Sequence, residues 1–219
     1  RPDIKKYVIN SMLARLKKRK LKHFSYAVVA NYSPDTTYNG KSIEQINLVK
    51  GRKHKAEEEA LTVIDIMMEG GASAIFHGMS EEDIKRIMQY PFNMFASDAS
   101  IRVLNVGMPH PRGYGTNARV LAKYVREEKV ITLEEAIRRM TSLPAQKFQL
   151  KDRGLLREGY AADIVIFDEK EVKDISTFEK PHAYSKGFHF VIVNGVLTVE
   201  NDQHTNARAG KALLGPGVK

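Results

Sequence analysis

The side chains that could perform chemistry follow two apolar runs that read as buried strands. Residues 72–76 form the first run and are followed by His77, and residues 92–96 form the second and are followed by Ser97 and Asp98. A carboxylate in such a position can act as a general acid or base. It can equally cap a turn after the strand, so function and turn formation are both open for Asp98 at this point.

A second group of candidates lies in the loop that follows Asp98. His110, Arg112 and Tyr114 place a titratable group, a fixed cation and a phenol between rigid prolines and permissive glycines. An arginine in such a loop can bind a carboxylate through two parallel hydrogen bonds. The alternative is a stiff connector in which Arg112 pairs with a local acid.

A helix between the two strands would bring these candidates together. Ser80 and Asp83 have capping-box spacing and open a predicted helix over 81–89. Strand, helix and strand at this spacing predict a βαβ unit with parallel strands, whose carboxyl ends share one face. Adjacent strands lie about 4.8 Å apart, so His77 and Asp98 could face one pocket. A histidine that bonds a backbone carbonyl near a turn is the alternative for His77.

The rest of the chain divides into a helical part and a β-rich tail. Apolar periodicity and turn signals predict helices over 3–20, 43–50, 55–69, 117–127, 132–140 and 143–150, and strands over 24–30 and 163–167. Asn194-Gly195 between two β-type runs, 188–193 and 196–200, predicts a tight hairpin. We therefore expect an α/β part followed by an all-β tail.

Composition restricts the kinds of site that are available. The 219 residues include no cysteine, which excludes disulfides, thiolate metal sites and cysteine nucleophiles within this chain. The histidines form neither an H-x-H pair nor an H-E-x-x-H motif, so no complete histidine metal site is evident. No apolar run is long enough to span a membrane, and we expect a cytoplasmic protein.

The formal charge of +9 includes one basic run at 15–23. Basic residues near the end of a helix complement its dipole, and this is the reading we favour for the run. A nucleic-acid-binding module is the alternative, but no recognised nucleic-acid-binding motif accompanies the run.

Several blocks of sequence resemble one enzyme family. FASDAS at 95–100, PHPRGYGTNARVL at 109–121 and RGLLREGYAADIVIFD at 153–168 are similar to the D-aminoacylase (N-acyl-D-amino-acid deacylase) family of the amidohydrolase superfamily. The PHPRGYGTNARVL block is specific to that family, whereas the third block is shared more widely among amidohydrolases. The resemblance covers most of the chain from about residue 40 onward.

The resemblance implies an α/β fold: the last strands and helices of a (β/α)8 metal-dependent hydrolase barrel, followed by a β-sandwich tail. On this pattern, residues 1–70 are an inserted, lid-like segment, 71–150 are the C-terminal part of the barrel, and 151–219 are half of the β-sandwich. Asp98 occupies the position of the family's catalytic aspartate, after the last barrel strand.

The implied chemistry is zinc-dependent hydrolysis of N-acyl-D-amino acids. Zinc activates water and polarises the amide, and Asp98 transfers the proton to the leaving amine. His110, Arg112, Tyr114 and His77 are the local candidates for binding the substrate. The family's metal ligands lie on earlier strands and none is present here. We therefore expect a C-terminal part of a protein about twice as long, which partners its own N-terminal part and is inactive and without tightly bound zinc by itself.

Two further readings remain. A hydantoinase or dihydroorotase relative, acting on cyclic amides, would have a similar barrel and tail. An amidohydrolase-like scaffold that has lost catalysis would also share these blocks. The PHPRGYGTNARVL block favours the D-aminoacylase branch.

Overall fold

A computed structural model describes residues 1–101 and 103–217 of the chain. The chain divides into two compact units. The first unit contains Arg1–Gly78 and two short segments, 103–110 and Phe178–Pro181. The second unit contains Met79–Ile101, Pro111–Thr177 and the residues from His182 onward.

The first unit packs three α-helices with a two-stranded antiparallel sheet. The helices are α1 (Pro2–Lys18), α2 (Ile43–Val49) and α3 (Ala56–Met68), the strands are β1 (Ala27–Asn31) and β2 (Ser73–Phe76), and Thr36–Tyr38 form a 3-10 turn. Apolar side chains from these elements form one core, which includes Leu16, Phe24, Val29, Ile46 and Ala60. Arg15, Lys17 and Lys18 of the basic run occupy the last turn of α1, where they complement the helix dipole.

Local signals explain where α2 and α3 begin and end. Ser42 and Gln45 form a reciprocal capping box at the start of α2, which satisfies two backbone donors that the helix leaves free. Gly70 and Gly71, after α3, both have positive φ angles, which glycine adopts without steric cost. They turn the chain directly into β2.

The parallel βαβ unit predicted for 72–96 is wrong for this structure. The first strand and the helix form, as β2 and α4 (Glu81–Met88), but 92–96 has no strand conformation. A strand needs a neighbour for its backbone groups, and no strand within the described ranges pairs with 92–96. β2 instead pairs with β1 in antiparallel register. The prediction of a buried strand at 92–96 is therefore wrong, since Phe92 is 83% exposed and none of the five residues is buried.

The second unit begins with α4 and continues into a bundle of short helices. These are α5 (Arg112–Arg119), a π-helical segment (Val120–Glu127), α6 (Leu133–Met140) and α7 (Ser142–Lys147). The loop that follows Asp98 is therefore shorter than predicted, because the helix expected from 117 begins at Arg112. Thr132 caps α6 by accepting the Glu135 N–H.

A four-stranded antiparallel sheet completes the second unit. Its order is β3 (Ile164–Phe167), β4 (Phe188–Val193), β5 (Val196–Glu200) and β6 (Gln203–His204). Asn194 and Gly195 join β4 to β5 with φ angles of 50° and 81°, which confirms the predicted hairpin. Phe167 and Phe188 of the sheet pack against the helical core.

Candidate functional site

Asp98 lies in an exposed stretch with a left-handed backbone conformation. Its φ is 45°, and its side chain is 84% exposed. Aspartate is among the few non-glycine residues that tolerate this region. Its Oδ2 atom lies 2.8 Å from Nη2 of Arg112, the first residue of α5. The structure thus brings together the predicted acid/base and the predicted cation, 14 positions apart in the sequence.

Hydrogen bonds from two arginines of α6 hold the chain just before Asp98. The Arg139 side chain in α6 is only 2% exposed and donates hydrogen bonds to the Met88 carbonyl and, at 2.9 Å, to Asn93 Oδ1. Its Nε donates to Glu135 Oε1 at 2.8 Å. Arg138 donates to the Pro91 carbonyl at 2.7 Å. The path from α4 toward Asp98 is therefore tied to α6 by charged hydrogen bonds.

Glu135 is the acid that balances both arginines. The hydrogen bonds from Arg138 and Arg139 lower the pKa of Glu135 to about 2. The carboxylate therefore stays ionised at neutral pH, and Arg139 is not buried as an unpaired charge.

Tyr114 is fixed by contacts from the tail of the chain. Its hydroxyl lies 3.1 Å from Nδ1 of His182, and its ring meets Tyr184 in an edge-to-face arrangement with centroids 5.7 Å apart. Ser185 donates a hydrogen bond of 3.0 Å to the Tyr114 carbonyl. Sequence reasoning missed His182, Tyr184 and Ser185, because no local motif relates positions about 70 residues apart.

An open cavity of about 750 Å³ borders α5 and the sheet of the second unit. The polar groups around it include Ser97, Arg112 and Tyr114, and the apolar groups come from the sheet, namely Val165, Val191 and Val199. Asp98 follows the lining residue Ser97 in sequence but does not itself line the cavity. The combination of an arginine, a phenol and an apolar wall suits a small molecule that carries a carboxylate and an apolar portion.

The other two predicted site residues lie in the first unit. His77 and His110 both place their rings edge-on to Phe178, at centroid distances of 4.5 and 4.9 Å. The His77 backbone N–H donates to the Tyr26 carbonyl and extends the β1–β2 pairing. The parallel strand pair that was predicted to bring His77 beside Asp98 therefore does not form.

Two clusters of potential metal ligands occur within the described part of the chain. One contains His23, Glu44, His54 and Glu59, and the other contains Asp168, Glu171 and His189. Asp98 belongs to neither cluster. Among residues 1–101 and 103–217, those around Asp98 therefore do not fit a complete metal centre by themselves. Sequence motifs missed both clusters, because their ligands come from separate elements.

Comparisons with known proteins identify the family of the chain. The model of a family described as "Amidohydrolase family" matches residues 45–199. This range covers more than two thirds of the chain, and the chain belongs to the amidohydrolase family. It is also 41% identical over 146 residues to the N-acyl-D-aspartate deacylase of Alcaligenes xylosoxydans xylosoxydans, a match that covers 67% of this chain and 28% of that protein.

Solved structures extend this relationship to the fold. A crystal structure of D-aminoacylase matches with a TM-score of 0.72 and 34% identity, over 84% of this chain and 36% of the other. N-acyl-D-glutamate deacylase from Bordetella bronchiseptica, complexed with zinc and a phosphonate inhibitor, matches with a TM-score of 0.69 and 35% identity, over 80% of this chain and 35% of the other. The chain has the α/β fold of this family, and the predicted resemblance to the D-aminoacylases is confirmed.

The chain spans only part of these relatives. It covers between a quarter and two fifths of the length of the three proteins described above. No helix in the ranges 1–101 and 103–217 is both long and apolar enough to cross a lipid bilayer.

Proposed function

We propose that this chain is part of an enzyme that hydrolyses the amide bond of N-acyl-D-amino acids and releases a D-amino acid and a carboxylate. The observation that carries the proposal is the ion pair between Asp98 and Arg112, whose atoms lie 2.8 Å apart. Both residues lie in sequence blocks that resemble the deacylases. The deacylase from Alcaligenes, which matches over two thirds of the chain, supports a linear amide over a cyclic one.

Asp98 is the proposed catalytic acid and base. Its carboxylate is open to solvent and held toward α5 by Arg112, so a substrate and a water molecule could reach it. It would accept the proton of the attacking water and then deliver it to the leaving amine nitrogen. One carboxylate serves both steps, because the two proton transfers occur in sequence.

Arg112 is the proposed partner of the substrate carboxylate, with Tyr114 beside it on α5. A guanidinium presents a planar fork of donors that matches the geometry of a carboxylate, which is why Arg112 is the cation proposed for this role. His110 and His77 remain candidates for substrate binding; both pack against Phe178 in the first unit.

The proposed cofactor of the whole enzyme is zinc, which is present in the Bordetella relative. When bound, such an ion lowers the pKa of its water and polarises the amide carbonyl. Because the described residues around Asp98 do not form a complete ligand set, we assign no ligand role to them. The N-terminal part of the same enzyme is the proposed source of the remaining site.

The division of the chain is part of the proposal. Residues 1–70 would be a lid-like insertion, 71–150 the last part of a (β/α)8 barrel, and 151–219 half of a β-sandwich. The antiparallel sheet of β3–β6 supports the last assignment. Helices α4–α7 support the second, although the two parallel strands predicted there do not pair in this structure.

Asp98→Asn in the full-length enzyme tests the assignment. The change keeps the shape of the side chain and removes its basicity, so kcat for N-acetyl-D-glutamate should fall roughly 10²- to 10⁴-fold. Metal content should stay near the wild-type value. Asp83→Asn is the matched control, because Asp83 is also exposed and only its backbone N–H serves in the cap of α4.

Two results would contradict the proposal. Near wild-type kcat in Asp98→Asn would remove the acid/base role. Faster hydrolysis of hydantoins than of N-acyl-D-amino acids by the wild-type enzyme would favour the cyclic-amide class instead.

A further inference from the structure

Four side chains of the first unit converge although they come from four different places in the chain. His23 precedes β1, Glu44 lies in the first turn of α2, His54 lies in the α2–α3 connection, and Glu59 lies in the first turn of α3. Each offers one nitrogen or oxygen, and these four atoms all lie within 4.8 Å of one another.

The contacts in this His–Glu cluster are close and directed. His23 Nδ1 lies 2.6 Å from Glu59 Oε1 and 3.8 Å from Glu44 Oε1. His54 Nε2 lies 2.6 Å from the same Glu44 oxygen. The two imidazole rings stack with centroids 4.1 Å apart and an angle of 20° between their planes. The nitrogens and oxygens therefore surround one small volume.

The position of Glu59 in the cluster is fixed by burial and by a backbone hydrogen bond. This carboxylate is fully buried, and its other oxygen, Oε2, accepts the Phe24 backbone N–H at 2.7 Å. That bond orients the carboxylate so that Oε1 points toward His23. A second bond that orients a ligand carboxylate is a common feature of metal sites in proteins.

Charge balance favours a cation at the centre. Within the described part of the chain, the ion-pair contacts of Glu44 and Glu59 are with these two histidines. The two carboxylates lie close together largely out of water, because the side chains of Glu44 and Glu59 are 22% and 0% exposed. Burying uncompensated carboxylates is costly. One divalent ion would cancel both charges and accept both imidazole lone pairs.

We propose that His23, Glu44, His54 and Glu59 bind one divalent transition-metal ion of the zinc type. Imidazole and carboxylate ligands are those that such an ion accepts, and four of them complete a structural site. Tetrahedral bonds of about 2.0–2.1 Å place ligand atoms about 3.3 Å apart. The two contacts at 2.6 Å would lengthen by about 0.7 Å, and a separation of up to 4.8 Å would shorten by up to about 1.5 Å, which side-chain rotation allows.

The site would act as a cross-link within the first unit. It would join the start of β1 to α2 and α3 across 36 residues of chain. The proposal departs from the expectation, drawn from sequence motifs, that this part of the protein holds no zinc tightly. It does not depend on the proposed hydrolase activity, because its readout is metal binding and stability.

The test is a titration of the full 219-residue chain with Zn²⁺ after removal of metals by a chelator. We expect one equivalent bound at the cluster, and a rise of roughly 5–10 °C in the unfolding midpoint at about a hundred times the Kd. His54→Ala should weaken this binding at least tenfold. The His54 side chain is half exposed, so its removal should leave the metal-free fold and midpoint unchanged.

His189→Ala is the matched control, because it removes a histidine from the other cluster. It should bind Zn²⁺ at the first cluster as the wild type does. Wild-type stoichiometry and Kd in His54→Ala would overturn the proposal, as would loss of that binding in His189→Ala alone. If His54→Ala does not fold, Glu44→Gln decides in the same way, since it replaces the carboxylate that contacts both histidines with a neutral amide.

Discussion

Glu135→Gln should destabilise the second unit by an amount that the structure allows to be estimated. Lowering the pKa of Glu135 from 4.5 to about 2 corresponds, at about 1.4 kcal/mol per pH unit, to roughly 3 kcal/mol. The side chain is 28% exposed, and solvent screening reduces this value to about 2 kcal/mol. The glutamine leaves Arg139 buried without its balancing charge. The unfolding midpoint at pH 7 should therefore fall by about 4–8 °C.

The pH dependence separates this ion pair from a packing defect. A carboxylate with a lowered folded-state pKa contributes its stability above the unfolded pKa and loses it as the pH falls toward the folded value. The gap between wild type and Glu135→Gln should therefore be full at pH 6 and close between about pH 4.5 and pH 2. Thermal unfolding followed by circular dichroism measures it. A gap that is the same at pH 6 and pH 3 would show that lost packing, and not the ion pair, causes the destabilisation.

Glu134→Gln is the control for the change in charge. Glu134 lies in the same helical turn, is exposed, and makes no ion pair with the residues that the structure describes. It should change the midpoint by much less than Glu135→Gln does.

Two further predictions concern packing and alkaline titration. Gly115→Ala should lower the free energy of unfolding by about 1 kcal/mol despite better helix propensity, because the new Cβ would lie 2.9 Å from Cβ of Asp174. In denaturant unfolding, Gly113→Ala should lower it less, because the nearest atom to its Cβ lies 3.4 Å away. The hydrogen bond to Glu69 raises the pKa of Tyr32 to about 12. The stability that this hydrogen bond contributes is therefore present below pH 10 and is lost as the pH rises through about 12. Burial also raises the pKa of Tyr124, so absorbance titration of Tyr32→Phe should show a late phase that is smaller by one phenol. A late phase of unchanged size in the variant would contradict this.

Local signals predicted most elements of the fold because their causes are local. The Asn194-Gly195 turn and the Ser80 cap of α4 each act over two to four residues, and both occur where the sequence predicts them. The strand predicted for 92–96 does not form, and the reason is the opposite one. Strand formation depends on a partner, and an apolar run alone does not say which segment that partner is or whether it is present.

The candidate site divides in the same way. Asp98 and Arg112 were predicted from their positions in the sequence and from the resemblance, and the structure places them in contact. Tyr114 was predicted, whereas its partners His182 and Tyr184 were not, since only the folded chain joins them. The His–Glu cluster was missed because motif rules search for ligands three or four residues apart, and these ligands span 36 positions.

Contacts made by the chain on either side of Asp98 explain how this exposed carboxylate can hold a defined position. Asp98 itself makes few contacts, and a surface ion pair such as the one with Arg112 contributes little free energy. Its position must therefore come from the chain on either side. Upstream, the buried Arg139 holds Asn93 and the end of α4 to α6. Downstream, α5 begins at Arg112 and is fixed through Tyr114. Substitutions at Glu135 or Arg139 should therefore lower turnover in the full-length enzyme without removing any group that touches the substrate.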